Sequence, residues 1–228
     1  MLFGDDDISN NLSVEEDESR EPSVPIITKD ENGALSSIVY KSRPTLQEYA
    51  GIPVLTDFGQ MRVFAGRENK DWWMSDLYRA PEVLLQLPWS HPVDMWSIGV
   101  VTLELVEGRN LFDPIDANGR YSLPLALAQY IGYLGPPPLK IIQQSPLFST
   151  YFDVDGNYIG RAPIPKASLD DFVTTIRPGI GKDKFLRLIR RMLTWDPAER
   201  AEATEILDDK WFRMSYEDLT QPPLWNQR

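Results

Sequence analysis

The 228-residue chain contains no cysteine and a single histidine, His91. The first absence rules out a disulfide framework, a thiolate zinc centre and a cysteine nucleophile, and it suits a reducing compartment. The second rules out any metal site with several histidine ligands and leaves one imidazole for a Ser-His-Asp triad. Positive charge is also short: 23 Lys and Arg stand against 34 Asp and Glu, a formal net charge of −11. A surface of that sign repels nucleic acid and anionic lipid and attracts basic partners. No run approaches the roughly 20 apolar residues of a membrane-spanning helix. Met1-Leu2-Phe3-Gly4-Asp5-Asp6-Asp7 carries acid where a secretory signal carries base. These features predict an intracellular protein, in cytoplasm or nucleus, with no nucleic-acid or membrane partner.

Hydrophobic residues make up 42% of the chain, enough for one domain or one large lobe. They are unevenly spread. Residues 1–51 include "DDDISNNLSVEEDESREPS", which is acidic, rich in Ser and Asn and poor in large apolar side chains. Such a stretch cannot bury enough surface to offset its ordering entropy. It predicts a largely disordered insertion, with a short strand in "SSIVYKS". Residues 52–214 hold the folded part, and 215–228 form a polar tail with two apolar anchors.

Within the folded part, "PVDMWSIGVVTLELVEG" predicts a helix ending at Gly108. Its apolar residues occupy nearly every face, which predicts burial at the centre of the fold. "LPLALAQYIGYLG" predicts a second helix, stopped by Gly135 and three prolines. In "KDKFLRLIRRML", Phe185, Leu188, Ile189, Met192 and Leu193 repeat at helical spacing. "DPAERAEATEILDDKWF" predicts a helix opening with Asp196 as cap and Pro197 at its first position. Strand signals are few: Val54 to Thr56, and a hairpin about Asp155-Gly156.

Four motifs follow one another. Asp57-Phe58-Gly59 ends the short apolar run, Ala80-Pro81-Glu82 lies in "SDLYRAPEVLL", Asp94 opens "DMWSIG", and Arg200 closes "MLTWDPAER". Together they resemble the C-terminal lobe of a eukaryotic protein kinase. The implied fold is mainly α (α+β), helical around a buried central helix and incomplete as a kinase. Arg79 before Ala-Pro-Glu and the insert at "YLGPPP" resemble the group of cyclin-dependent, MAP and CDC-like kinases. The acidic insertion before Asp57 is similar to that of fungal-type SR-protein kinases.

The resemblance implies ATP and Mg²⁺ as cofactors, with Asp57 as a magnesium ligand. Phe58 would pack behind the site and Gly59 would let the backbone turn. Residues 57–82 would be the activation segment, with Ser75, Tyr78 and Arg79 in the substrate platform. Trp72 and Trp73 would anchor that loop on apolar surface or belong to the core. Glu82 and Arg200 would form a buried ion pair, and Asp94 would support the catalytic loop. His91 reads as a turn residue. The expected substrates are basic, Arg/Ser-rich proteins, and Asp113, Asp116, Asp170 and Asp171 are either partners for arginine or a solvated face.

Other parts of such an enzyme are missing from the motif series. The family's catalytic loop, His-Arg-Asp-x-x-x-x-Asn, lies upstream of Asp-Phe-Gly, yet no histidine precedes His91. "MLFG" resembles the strand after that loop, so the catalytic base is expected upstream of Met1 and no catalytic residue within the chain. Lys29 and Lys41 lie in the polar insertion, unsuited to grip ATP, and no glycine-rich loop precedes Asp57. The chain is expected to be inactive alone. The alternative is a non-catalytic kinase-like module for basic partners. Two tempting motifs fail: "DVDGNYI" places its glycine too early for a calcium loop, and "PGIGKDK" has Ile176 and Asp183 where a phosphate loop requires glycine and Ser/Thr.

Overall fold

In the computed structural model, residues 16, 18–30, 32–40, 57–62 and 69–214 are described. They fall into two units, Met1–Val63 and Phe64–Arg228.

The first unit holds an antiparallel hairpin of β1 (Pro25–Lys29) and β2 (Leu35–Tyr40), in register at Ile26↔Val39 and Ile27↔Ile38. β2 takes up most of the strand expected in "SSIVYKS"; Lys41 and Ser42 lie outside the described residues, as does the strand expected at Val54 to Thr56. Asp30 organises the turn by accepting N–H bonds from Asn32 and Ala34 on Oδ1. Such side-chain bonds stand in for the ladder where the chain reverses.

The second unit is helical: α1 (Pro81–Leu84), α2 (Pro92–Glu107), α3 (Leu123–Leu134), α4 (Leu139–Ile142), α5 (Phe148–Tyr151), α6 (Leu169–Phe172), α7 (Ile180–Met192) and α8 (Ala203–Leu207). Trp96 of α2 lies at its centre, parallel to Phe112 at 6.0 Å, with Tyr130 of α3 tilted against both rings. α2 stops as expected, with Gly108 in the left-handed region at φ 67. Gly99 lets α2 approach α7: a Cβ there would meet Leu193 Cδ2 at 2.9 Å and Met192 Cβ at 3.1 Å. Phe185, Leu188, Ile189, Met192 and Leu193 are all buried, the face that their spacing indicates.

Two expectations need correction. α2 is not buried all round: Ile98, Val101 and Leu105 are exposed, Leu105 at 78%. These three share a face with Asp94, also exposed, because spacings of three and four residues fall on one side of a helix. Nor does a helix start at Pro197. Asp196 Oδ1 accepts from Ala198 N and Glu199 N donates to Asp196 O, closing a turn. Ala201 N is taken by Arg191 O, so the helix begins only at Ala203, with a reciprocal cap between Glu202 and Glu205. The hairpin expected about Asp155-Gly156 is a tight loop with one bridge, Phe152↔Tyr158, capped by the Asp153 carboxylate.

Glu107 ties the end of α2 to the chain after α6. It accepts from Thr174 N and Thr175 N at 2.9 Å each and from Thr174 Oγ1 at 2.6 Å. Partial burial alone would push its pKa up; the bonds from Thr174 and Thr175 outweigh it and hold the pKa at about 2. A carboxyl with a depressed folded-state pKa adds stability above its usual value of 4.5 and loses it as pH falls towards 2. Glu107→Gln should therefore cost about 1 kcal/mol at pH 7, reduced by solvent screening. It should also flatten the acid limb of a stability-versus-pH curve, measured by urea unfolding between those values.

Candidate functional site

Asp57 caps a short 3-10 turn, Phe58–Gln60, and adopts the left-handed conformation itself, φ 64 and ψ 60. Aspartate tolerates that region better than most side chains. Its carboxylate is exposed. The Phe58 ring is 57% exposed, so the packing that the resemblance implies for it is not supplied by the described residues. Among the described residues, no group of three His, Cys, Asp or Glu could hold a metal ion. Magnesium, however, takes one or two carboxylates and completes its shell with phosphate oxygens and water. Asp57 fits as one such ligand.

Downstream, residues 69–82 are knitted into the helical unit. Asn69 and Trp89 exchange backbone bonds, and Trp89 Nε1 donates to Asp71 O. Trp73 stacks on Trp89 at 6.4 Å, while Trp72 meets the edge of Tyr121 at 5.9 Å. The Tyr78 hydroxyl donates to Glu104 Oε2 at 3.0 Å. That bond, with burial and the Glu104 charge behind it, raises the tyrosine pKa. Ser75 O accepts from Tyr78 N, turning the chain just before Arg79. Arg79 is 3% exposed, so it lies beneath the surface of this stretch and is no surface contact.

Glu82, in the first turn of α1, meets Arg200 in a bidentate pair: Nη1 to Oε1 at 2.7 Å and Nη2 to Oε2 at 2.8 Å. Both side chains are essentially inaccessible. The guanidinium also donates to Pro92 O and Thr194 O and lies 5.5 Å from the Trp96 ring centroid. One arginine thus joins α1, the start of α2 and the turn after α7.

Asp94, in the first turn of α2, donates its backbone N–H to His91 O at 3.0 Å, and its carboxylate accepts no hydrogen bond from other described residues. Partial burial of its carboxyl, though the residue is exposed overall, pushes the pKa up, with nearby His91 opposing. His91 occupies the cap position of α2 without a side-chain capping bond. Asp94, Ile98, Val101 and Leu105 thus make one open face, acid at one end and apolar along its length.

Of the four surface acids, three are committed locally. Asp116 accepts from Asn118 and Arg120 N–H groups, Asp170 pairs with Arg190, and Asp171 accepts from the Ser168 hydroxyl. Asp113 is the one of the four without such a partner among the described residues. Neither motif nor spacing marks Tyr121, Trp89 or Tyr130 as part of this site. They reach the segment only through tertiary packing, Tyr130 by donating its hydroxyl to Arg79 O.

The chain belongs to the protein kinase domain family, which matches it over residues 45–212. Its relatives include a serine/threonine protein kinase of Aspergillus fumigatus, 38% identical over 77% of this chain and 45% of that protein. The dual specificity protein kinase CLK1 of Homo sapiens is 34% identical over 59% of this chain and 28% of its own length. The dual specificity tyrosine-phosphorylation-regulated kinase mbk-2 of Caenorhabditis elegans is 29% identical over 78% of this chain and 23% of its own length. The chain spans less than half the length of these relatives. The helical fold with one small sheet is that of a protein kinase domain. No helix among the described residues is long and apolar enough to cross a membrane.

The raised pKa of Asp94 makes a stability prediction. A carboxyl whose folded-state pKa is raised subtracts stability once pH exceeds that value. Asp94→Asn should slightly raise Tm at pH 7, with the gain vanishing as pH falls below the carboxylate range. An unchanged or lower Tm in thermal scans would contradict the unpaired, partly desolvated carboxylate described above.

Proposed function

We propose that residues 57–212 are the magnesium-binding and substrate-binding part of a serine/threonine protein kinase acting on basic, arginine-rich proteins. One observation carries the reading. The buried Glu82–Arg200 pair fixes the end of the segment that starts at Asp57, in a chain that matches the kinase family across both positions. Phosphoryl transfer asks a protein mainly for positioning and for cations on the phosphates. Asp57 would hold magnesium, which neutralises charge on the transferring group. Gly59 would let the backbone turn after it, and Phe58 would set the state of that turn. Ser75 and Tyr78 would carry the substrate platform, held from below by Arg79. Asp94 would receive backbone N–H groups of the catalytic loop, and the open face of Ile98, Val101 and Leu105 would receive the apolar side of the chain that bears it. An unpaired carboxylate beside exposed leucine, valine and isoleucine suits such a partner better than it suits water.

The preference for arginine-rich substrates, like that of SR-protein kinases, rests on the net charge of −11 and on likeness to a CLK-type kinase. The chain carries no catalytic-loop histidine ahead of Asp57 and no glycine-rich loop there, so this polypeptide by itself would not turn over. A second reading, a non-catalytic module that binds basic proteins, is favoured by the same charge and by the unpaired Asp113.

Two assays separate them. Purified chain with Mg-ATP and an arginine-serine peptide should show no phosphotransfer, and turnover of about one per second would overturn its inactivity. In the full-length protein, Asp57→Asn should lower phosphotransfer by about 100-fold or more while leaving peptide binding intact. Full-length protein that binds the peptide but never phosphorylates it would favour the second reading.

A further inference from the structure

A cavity of about 300 Å³ opens between the end of α3, the bend at Pro136 and Pro138, and the end of α7. That volume is at the lower end of ligand pockets. Leu134, Pro136, Leu193 and Trp195 supply apolar lining, with Arg190 and Glu199 as charged neighbours. Its walls are fixed in advance. Trp195 Nε1 donates to Gly135 O at 3.1 Å, tying the bend to the chain after α7. Lys140 Nζ bridges Asp196 Oδ2 at 2.8 Å and Glu199 Oε1 at 3.3 Å, tying α4 to the same stretch. A site shaped before it is filled loses less in ordering its own side chains.

The outer side of α7 leads to this cavity. Asp183, Arg187 and Arg190 recur at spacings of four and three, so they share one side of the helix. All three are exposed, and Arg190 lines the cavity. The helix carries five cations, Lys182, Lys184, Arg187, Arg190 and Arg191, against the one acid Asp183, in a chain of net charge −11. Nearer its start, the 3-10 turn Lys210–Arg213 packs against it. The Trp211 ring lies 5.3 Å from that of Phe185, and Asp209 pairs with Arg187 and Arg191.

Residues 215–228, which follow that turn, lie outside the described residues. Their sequence is acidic first, Glu217-Asp218, and then reads Pro222-Pro223-Leu224-Trp225. We propose that the cavity is the docking site of this chain's own residues 222–225, with the Trp225 ring inside it and Glu217-Asp218 passing over the cations of α7. The order along the segment matches the order along the surface, charge and then apolar space. The reach suffices. Ten residues separate Met214 from Leu224, up to about 33 Å of extended chain. Phe185 to Leu193 spans about 12 Å of helix. The two prolines hold φ fixed, which lowers the entropy lost on docking. Docked there, the segment clasps α3, the proline bend and α7 together.

The test is hydrogen–deuterium exchange on the purified chain, read at residues 130–135 and 193–199. Trp225→Ala should speed exchange there about five-fold or more, while residues 95–103 of α2 stay unchanged as proof of folding. Pro136→Glu, on an exposed part of the cavity wall, should do the same without altering the segment. Leu207 and Phe212, 74% and 55% exposed, are the competing apolar seat nearest the segment, so Phe212→Ser should leave the cavity protected. A labelled peptide of residues 215–228 should bind the Trp225→Ala chain saturably by fluorescence anisotropy, and several-fold more weakly in 0.5 M salt as the charges are screened. Adding Pro136→Glu to that chain should weaken binding by about ten-fold or more. Equal exchange in Trp225→Ala and the parent protein would overturn the proposal. So would protection lost in Phe212→Ser but kept in Pro136→Glu, or a peptide that binds the doubly substituted chain equally well. None of these readouts needs phosphotransfer, so the docking site and the kinase reading can fail separately.

Discussion

One buried ion pair organises the helical unit. Glu82 and Arg200 are separated by 118 positions in sequence and meet through two short bonds with essentially no solvent. Two charges taken out of water are tolerable only when the rest of their bonding capacity is met. Arg200 meets most of it, with the carbonyls of Pro92 and Thr194 and the face of Trp96. These partners belong to the entrance of α2, the turn after α7 and the aromatic centre. The same requirement explains why no helix runs through residues 197–201: the arginine must be presented from a turn, with Ala201 N bonded to Arg191 O.

A second buried arginine lies close by in sequence and is solved differently. Arg79 has a single half-exposed acid, Asp76, and two neighbouring aromatic rings where Arg200 has a buried carboxylate. The first arrangement locks helices together. The second shapes the loop between them. Trp72 is 48% exposed, an expensive residue to leave at a surface unless its face is in use, and the guanidinium beneath it supplies that use. Glu104 works in the same layer, with one oxygen on the Tyr78 hydroxyl and the other on Leu111 N. Residues 69–82 are thus held from below by α2 through Glu104.

Much of this was legible in the sequence. α3 and α7 follow from apolar spacing and from Gly135 and the prolines after it. The pairing of Glu82 with Arg200 was expected from motif resemblance, because nothing local to either residue names its partner. The failures have physical causes. The apolar residues of α2 read as burial on all sides, but Ile98, Val101 and Leu105 line a face that also carries Asp94 and stays open. Asp196-Pro197 fits a helix start and an Asx turn equally well, and only the anchoring of Arg200 decides between them. Tyr121 is a lone aromatic in a loop, and no periodicity could assign it to Arg79.

The pair of Glu82 and Arg200 locks the segment to the helices as a coupled unit, which a double-mutant cycle by urea unfolding can measure. Glu82→Gln and Arg200→Met should each cost about 3–5 kcal/mol, because each strands the other partner in the interior. The double variant should be less destabilised than their sum by about 2 kcal/mol or more. Small and additive single losses would mean that the pair is a passive contact and that the helices hold the segment by packing alone.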